Sequence, residues 1–245
     1  MQAFGHQYIH LPITDSSNLE AWRLIREGKI SEGWIIHADF QTMGKGQGGR
    51  HWESAEGQNL TFSIVLQPVF LEPARQFLLN MAVSLAVKEA ITHVSGRQDI
   101  WLKWPNDIYY NGNKLGGILI ENIVSQKGIE IALVGIGLNI NQVEFAFPGP
   151  TSLARLSGGI YDKEEVFKLI VKSIETHYMR LKRGEKRVLR QSFIQHLYRF
   201  NLWASYDDGE NFEERIVGIT EEGKLILEKE HQVRNQYGFK EVKFL

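Results

Sequence analysis

The densest chemistry in the sequence is the run Gly44-Lys45-Gly46-Gln47-Gly48-Gly49-Arg50, with Trp52 just beyond it. Glycines let backbone N–H groups approach an anion closely, and Lys45 and Arg50 add positive charge beside them. The run contains a literal G-x-G-x-x-G. A dinucleotide fold needs that pattern to open a helix, whereas His51-Trp52-Glu53 and a polar stretch follow here. A protein-kinase loop needs Val where His51 stands, and no H-R-D or D-F-G occurs. A Walker A motif needs G-K-[ST], which is also missing. A flexible surface loop would account for the glycines but gains little from Trp52, whereas a nucleotide base gains a stacking partner.

Four further segments carry unusual chemistry. Lys103-Trp104-Pro105-Asn106-Asp107-Ile108 joins a cation, a rigid turn, an amide and a carboxylate. Lys114-Leu115-Gly116-Gly117-Ile118-Leu119 opens with a lysine and two glycines, and Gly135-Ile136-Gly137-Leu138-Asn139-Ile140-Asn141 combines glycines with two asparagines. Ser16-Ser17-Asn18 supplies hydroxyls and an amide. Each alone has an ordinary reading as turn chemistry, close sheet packing or a helix cap. Together they set Lys45, Arg50, Lys103 and Lys114 beside glycine-rich backbone, as a polyphosphate site requires. The eight histidines (His6, His10, His37, His51, His93, His177, His196 and His231) show no metal-ligand spacing and read as surface or core residues.

The elements that must position these groups are largely strands and hairpins. Ser17 and Glu20 fit a capping box before Leu19, Trp22 and Ile25 at helical spacing, with Gly28 ending the helix. Residues 33–38 and 60–66 read as strands, Pro68 stopping the second, and an apolar-periodic helix covers 74–94. Residues 100–103 are extended before Pro105. Asn111-Gly112 is a hairpin turn, and strands at 115–124 and 129–140 meet at Lys127-Gly128. Hairpins make the sheet antiparallel, which excludes a doubly wound parallel fold. Helices follow at 163–183 and 185–200. Short β runs at 214–219, 224–229 and 240–244 then suggest a small barrel-like appendage.

Composition sets outer limits. At about 150 residues per domain, 245 residues give one large domain or one with a small appendage. Hydrophobic residues make up 43% and charged ones 23%, which excludes a disordered or fibrous chain. No apolar run is expected to span the roughly 18 residues of a membrane helix, and Met1 to Pro12 lacks the pattern of a secretory signal. Lys plus Arg total 28 against 29 for Asp plus Glu, a formal charge of −1, unlike a chain devoted to binding duplex nucleic acid. The absence of cysteine excludes thiolate metal sites and a cysteine nucleophile. A cytoplasmic enzyme or small-ligand binder is the expectation. The basic stretch 180–199 reads as a solvated helix surface, not a face for nucleic acid or membrane.

The glycine loop ending in Arg-x-Trp, K-W-P-N-D, K-L-G-G-I-L and G-I-G-L-N-I-N, in that order, resemble the biotin protein ligases, which act on acetyl-CoA carboxylase. The resemblance runs from about Ser16 to Asn141 and more weakly beyond. It implies an α/β (α+β) fold around a mixed, mostly antiparallel sheet with flanking helices, like the class II aminoacyl-tRNA synthetases. Residues 1–200 would form this catalytic domain and 201–245 a C-terminal SH3-like β-barrel. It implies ATP and Mg²⁺ as cofactors and biotin as substrate. Biotin would be activated to biotinyl-5′-AMP and passed to a lysine of the biotin carboxyl carrier protein of a biotin-dependent carboxylase.

Carried over by motif, Ser16, Ser17, Asn18 and Gln41 would contact biotin, and Gly44 and Gly46 belong to the loop that closes over it. Gly117 and Leu119 would pass their backbone beside biotin. Lys45, Gly46, Gln47, Arg50, Trp52, Lys103, Asn106 and Asn139 would hold ATP or the adenylate. Lys114 would touch both the biotin carboxylate and the α-phosphate. Lys114, Arg50, Lys45 and Asp107 form the expected catalytic set, with Asp107 and Asn106 as the expected Mg²⁺ ligands. Asp107 is equally open to helping deprotonate the acceptor lysine.

A lipoate or octanoyl ligase or transferase is the alternative of related fold, and should lack K-W-P-N-D and the Arg50-His51-Trp52 ending. A biotin-responsive repressor needs a helix-turn-helix before the biotin motif, for which the segment ahead of Ser16 is too short, so no DNA partner is expected. A homodimer through a sheet edge is open to the chain. The family's usual loop has arginines where this chain has Lys45 and Gln47. Retention of the adenylate should therefore depend more on Lys45 and Arg50. Gln47→Arg is expected to slow adenylate release, measured by trapping free biotinyl-5′-AMP; unchanged leakage would contradict that dependence.

Overall fold

The computed structural model describes Phe4 and residues 7–245, so the reading of His6 lies outside the described residues. The chain begins with β1 (Tyr8–Thr14), α1 (Ser17–Arg26), β2 (Ile35–Gln41) and β3 (Leu60–Leu66). Then come α2 (Phe77–Ser95), β4 (Ile100–Lys103), β5 (Asp107–Tyr110), β6 (Asn113–Ser125) and β7 (Gly128–Leu138). Three helices follow: α3 (Leu153–Ser157), α4 (Lys163–Lys182) and α5 (Lys186–Gln195). The chain ends in β8 (Trp203–Asp207), β9 (Asn211–Ile219), β10 (Leu225–Glu228), β11 (Arg234–Tyr237) and β12 (Lys243–Phe244).

The first seven strands form one sheet in the order β1-β2-β3-β7-β6-β5-β4. All its pairings are antiparallel except β1 with β2. The expected mixed, mostly antiparallel sheet with flanking helices is therefore present. The hairpin at Asn111-Gly112 has positive φ at both residues, 46° and 76°, as a type I′ turn requires. A second sheet, in the order β11-β10-β9-β8-β12, lies within the C-terminal segment. It is not isolated from the first: Tyr206, Ile216, Leu225 and Leu227 belong to the same buried cluster as α2 and β3. Trp104 Nε1 also donates to the Gly223 carbonyl at 2.9 Å.

Pleat alternation divides the large sheet into two unlike faces. Phe62, Ile64, Ile118, Ile136 and Leu138 join the main core with α2, whose residues from Leu78 to Ile91 are almost all buried. The opposite face carries a smaller cluster in which Ala21 of α1 covers Ile36, Val65 and Leu133. Beyond the N-terminus of α1, this face turns polar and glycine-rich. That is where the site lies.

Several local expectations need correction. The capping box at Ser17 and Glu20 does not form: Ser16 is the N-cap, and its side chain makes no capping bond. Ser17 is drawn inward by tertiary contacts instead, which outweigh a local cap. α5 ends at Gln195, short of residue 200. Strands β1, β8 and β11 lack strong alternation and were not expected. The segment Pro73–Ser95 is long and apolar enough to cross a membrane by length and composition, contrary to the estimate from apolar runs. It is the central core helix, with 72% of its most apolar window buried inside the protein.

Candidate active site

One cavity of about 820 Å³ opens on the glycine-rich face. Every predicted site residue lines it except Gly44. Gly44 shapes the loop above instead: its carbonyl accepts from Trp52 N at 2.9 Å, and a Cβ there would stand 2.7 Å from the Trp52 carbonyl. Gly46 N donates to the Arg50 carbonyl at 2.7 Å, so residues 44–52 close into a short hairpin. The loop is thus folded on itself, with Gly48 at φ 68° and Gly49 at φ 81°. Lys45 and Arg50 are exposed on it, while Gln47 is half-buried.

The cavity floor is the β6–β7 pair. Gly117 pairs with Gly137 and Leu119 with Gly135. Cβ atoms on the β7 glycines have no room: one on Gly135 would stand 2.5 Å from Asn18 Oδ1, and one on Gly137 2.5 Å from Trp52 Cε2. The two ends of the cavity follow. Asn18 lies on Gly135, and the Trp52 indole lies against Gly137.

At the Asn18 end the polar groups interlock. Ser63 Oγ is 2.6 Å from Asn18 Oδ1 and 2.7 Å from Ser17 Oγ. An amide oxygen only accepts, so Ser63 donates to Asn18 and receives a proton from Ser17. Asn18 Nδ2 donates to Glu121 Oε2 at 2.7 Å, and the Ser17 backbone N–H to Gln41 Oε1 at 2.7 Å. Ser16, Ser17, Asn18 and Gln41 are all buried. Asp15 accepts from the Ser16 N–H at 2.7 Å and pairs with Arg23, which holds its carboxyl below the usual carboxylate range.

At the Trp52 end the groups are charged. Lys114 Nζ meets Asp107 Oδ1 at 2.6 Å and lies 5.7 Å from the Trp52 ring centroid. The Lys114 backbone is fixed by bonds to Gly149 and Thr151. Lys103 Nζ donates to the Tyr109 hydroxyl at 3.1 Å and lies 5.0 Å from the Phe244 ring. Burial lowers the Lys103 pKa; Asp107 opposes that shift, and the cations Arg199, Lys114 and Arg50 add to it. Burial likewise pushes the Tyr109 hydroxyl up to about 12, with Asp107 contributing. Two cavity atoms are buried without a hydrogen-bond partner, Trp52 Nε1 and Asn139 Oδ1.

Sequence reasoning missed several participants. Gly135 and Gly137 were read as part of a motif but given no site role, although they make the floor. Ser63 is the one hydroxyl of β3 that reaches Asn18, and Glu121 is a carboxylate in a glycine-containing strand. A polar residue inside an apolar strand is a usable signal for both. Phe239, Lys240, Lys243 and Phe244 come from the C-terminal segment and line the same cavity. A Cβ on Gly48 would stand 2.7 Å from Lys240 Nζ, so the turn between β11 and β12 reaches the glycine loop. No local pattern forecasts that contact.

A model of the biotin/lipoate A/B protein ligase family matches residues 11–141, more than half of the chain. The bifunctional ligase/repressor BirA of Bacillus spizizenii is 30% identical over 255 residues, covering 96% of this chain and 74% of that protein. The chain belongs to the biotin/lipoate A/B protein ligase family. Within this family, the biotin–[acetyl-CoA-carboxylase] ligase of Paracoccus denitrificans is 34% identical over 166 residues, covering 64% of this chain and 67% of that protein. The biotin protein ligase of Aquifex aeolicus, solved with biotin and ATP, superposes with a TM-score of 0.81 at 27% identity, covering 98% of this chain and 100% of that one. Relatives on the biotin side of the family thus dominate, which leaves the lipoate alternative less supported.

Gly137→Ala should displace the Trp52 indole from the floor. Its nucleotide Kd is expected to rise about 10-fold or more, since one base stacked on an aromatic is worth roughly 1–3 kcal/mol. Titration with a non-hydrolysable ATP analogue checks this, and an unchanged Kd would remove Trp52 from nucleotide binding.

Proposed function

We infer that the chain is an ATP-dependent biotin protein ligase. The observation that carries this is the division of a single cavity into a neutral, hydrogen-bonding end at Asn18 and a cationic end at Lys114, with Trp52 above the second. A uncharged ureido head with an apolar body suits the first end. A nucleotide suits the second.

The reaction proceeds in two steps. The biotin carboxylate attacks the α-phosphorus of ATP, forming an acyl–phosphate bond and expelling pyrophosphate. A carrier-protein lysine then attacks the acyl carbon, forming an amide and releasing AMP. The first step drives an anion against a polyanion, so cations must screen their repulsion. Lys114 is placed for this because Asp107 and the Gly149–Thr151 backbone hold it beside Trp52. Lys45 and Arg50 supply further charge from the hairpin, and Lys103 from β4. A carboxylate is ionised at neutral pH, so this step needs no base. No enzyme nucleophile is required.

A divalent hard cation such as Mg²⁺ takes oxygen ligands. Asp107 and Asn106 would hold such an ion, which would neutralise charge on the phosphates, and the unpartnered Asn139 Oδ1 offers a further oxygen in the same cavity. Asn106 Nδ2 already donates to the Ile118 carbonyl at 2.5 Å, which fixes the direction of its oxygen. Asp107 also remains a candidate to receive the proton of the acceptor lysine.

The roles given to Ser16, Ser17, Asn18, Gln41, Gly117 and Leu119 in holding biotin belong to the same reading. The acceptor is a carrier domain of a biotin-dependent carboxylase, and ATP as co-substrate fits a cytoplasmic setting. Residues 1–200 are taken as the catalytic unit and 201–245 as an appended one that contributes to the cavity rim. β1, the sheet edge with Tyr8 and Ile13 exposed, is the surface through which a second copy would pair. No role in DNA or membrane binding is assigned: Arg180 of the basic region pairs with Glu185 at 2.9 Å.

Incubation with ATP, Mg²⁺, biotin and a carrier domain is expected to give lysine-linked biotin by mass spectrometry. Lys114→Ala should slow adenylation by about 10²–10³, the usual cost of one transition-state donor, while changing biotin Kd by less than ~10-fold. Equal losses in both would show that Lys114 serves binding alone.

A further inference from the structure

A second cluster of ligand-type side chains lies on the other face of the sheet. β1 and β2 are parallel with His10 directly opposite His37. Residues two apart on a strand share a face, so Asp39 joins them. One ligand atom from each of His10, His37 and Asp39 lies within 4.8 Å of the other two. His10 Nε2 and Asp39 Oδ2 are 2.8 Å apart. The His37 ring is sandwiched between His10, at 5.2 Å, and Phe167 of α4, at 5.4 Å. His37 Nε2 is shielded from solvent and has no hydrogen-bond partner. A buried ring nitrogen left unpaired is costly, and a metal ion is one of the few species that removes that cost.

We propose that His10, His37 and Asp39 form a binding site for a divalent transition metal of the zinc type. Two imidazoles and a carboxylate are a donor set that Zn²⁺ accepts, with bonds of about 2.0–2.2 Å. His10 is exposed and Asp39 half-buried, so these two are the side chains with room to adjust around an ion, while His37 is held between rings. Besides His10 and Asp39, the charges of Lys163 and Glu164 at the start of α4 also act on His37.

This site lies outside the catalytic cavity but not outside its framework. β1 leads directly into Asp15, Ser16 and Ser17, and β2 ends at Gln41, which accepts from the Ser17 N–H. An ion held between the two strands would tie the edge strand β1 to β2 just before both deliver their residues to the cavity. No spacing along the chain signals this cluster, because its members meet across a parallel strand pair.

The test uses the full chain stripped of metal by chelator and titrated with Zn²⁺ in competition with a chromophoric chelator. One equivalent is expected to bind and to raise the melting temperature. Co²⁺ in its place should give visible d–d absorption bands. His10→Ala and Asp39→Asn should each weaken Zn²⁺ binding by more than the roughly 10–100-fold that outer-shell changes cost. His10 is exposed, so His10→Ala keeps the fold and decides the matter even if a His37 variant does not. His231→Ala, in the C-terminal segment, should bind as the parent does. Binding below one equivalent by the parent, or binding by His10→Ala and Asp39→Asn as tight as the parent's, would overturn the site. Neither result bears on biotinylation, which is measured separately.

Discussion

The site depends on one packing constraint: the face of β7 that carries Gly135 and Gly137 must stay free of side chains at the two glycines. The same strand turns Ile136 and Leu138 into the core on its other face. Alternation of glycine with large apolar residues therefore does two things at once. It anchors the strand through one face and opens the other to within contact distance of Asn18 and Trp52. Added methyl groups would push those two side chains off the sheet, and with them the floor on which both ends of the cavity are built.

Electrostatics is arranged around that floor. The Asn18 end satisfies its polar groups internally through Ser63, Ser17, Gln41 and Glu121. The Lys114 end does not: Asp107 is the one carboxylate paired directly with Lys114, while Lys103, Lys45 and Arg50 also line the cavity. Burial disfavours the charged form of Lys103, and nearby cations add to that cost. A polyanion relieves it. The same groups that are costly before binding thus favour the phosphates that must be brought against a carboxylate.

How much of this was legible depended on whether the signal was local. β3, β4 and the Asn111-Gly112 hairpin follow from β-rich runs broken at Pro68 and Pro105 and from turn chemistry, and all three are present. The catalytic motifs were legible because each packs several functional groups into a few residues. The second sheet's reach into the cavity was not, since Lys240 meets Gly48 only through the folded core. Nor was the parallel pairing of β1, an edge strand of weak alternation, and with it the meeting of His10, His37 and Asp39. The cap at Ser17 is absent because the helix starts there, with Ser16 as N-cap, and the Ser17 hydroxyl turns to Ser63, a residue far away in sequence.

The central claim is that this cavity joins a biotin carboxylate to the α-phosphate of ATP. A single-turnover reaction without any acceptor protein tests it most directly, with the adenylate and pyrophosphate quantified by chromatography and mass spectrometry. Biotin should yield biotinyl-5′-AMP and pyrophosphate in equal amounts, approaching one per chain, while lipoate and octanoate yield far less. Adenylate formed preferentially from lipoate or octanoate, or no adenylate from biotin, would contradict it.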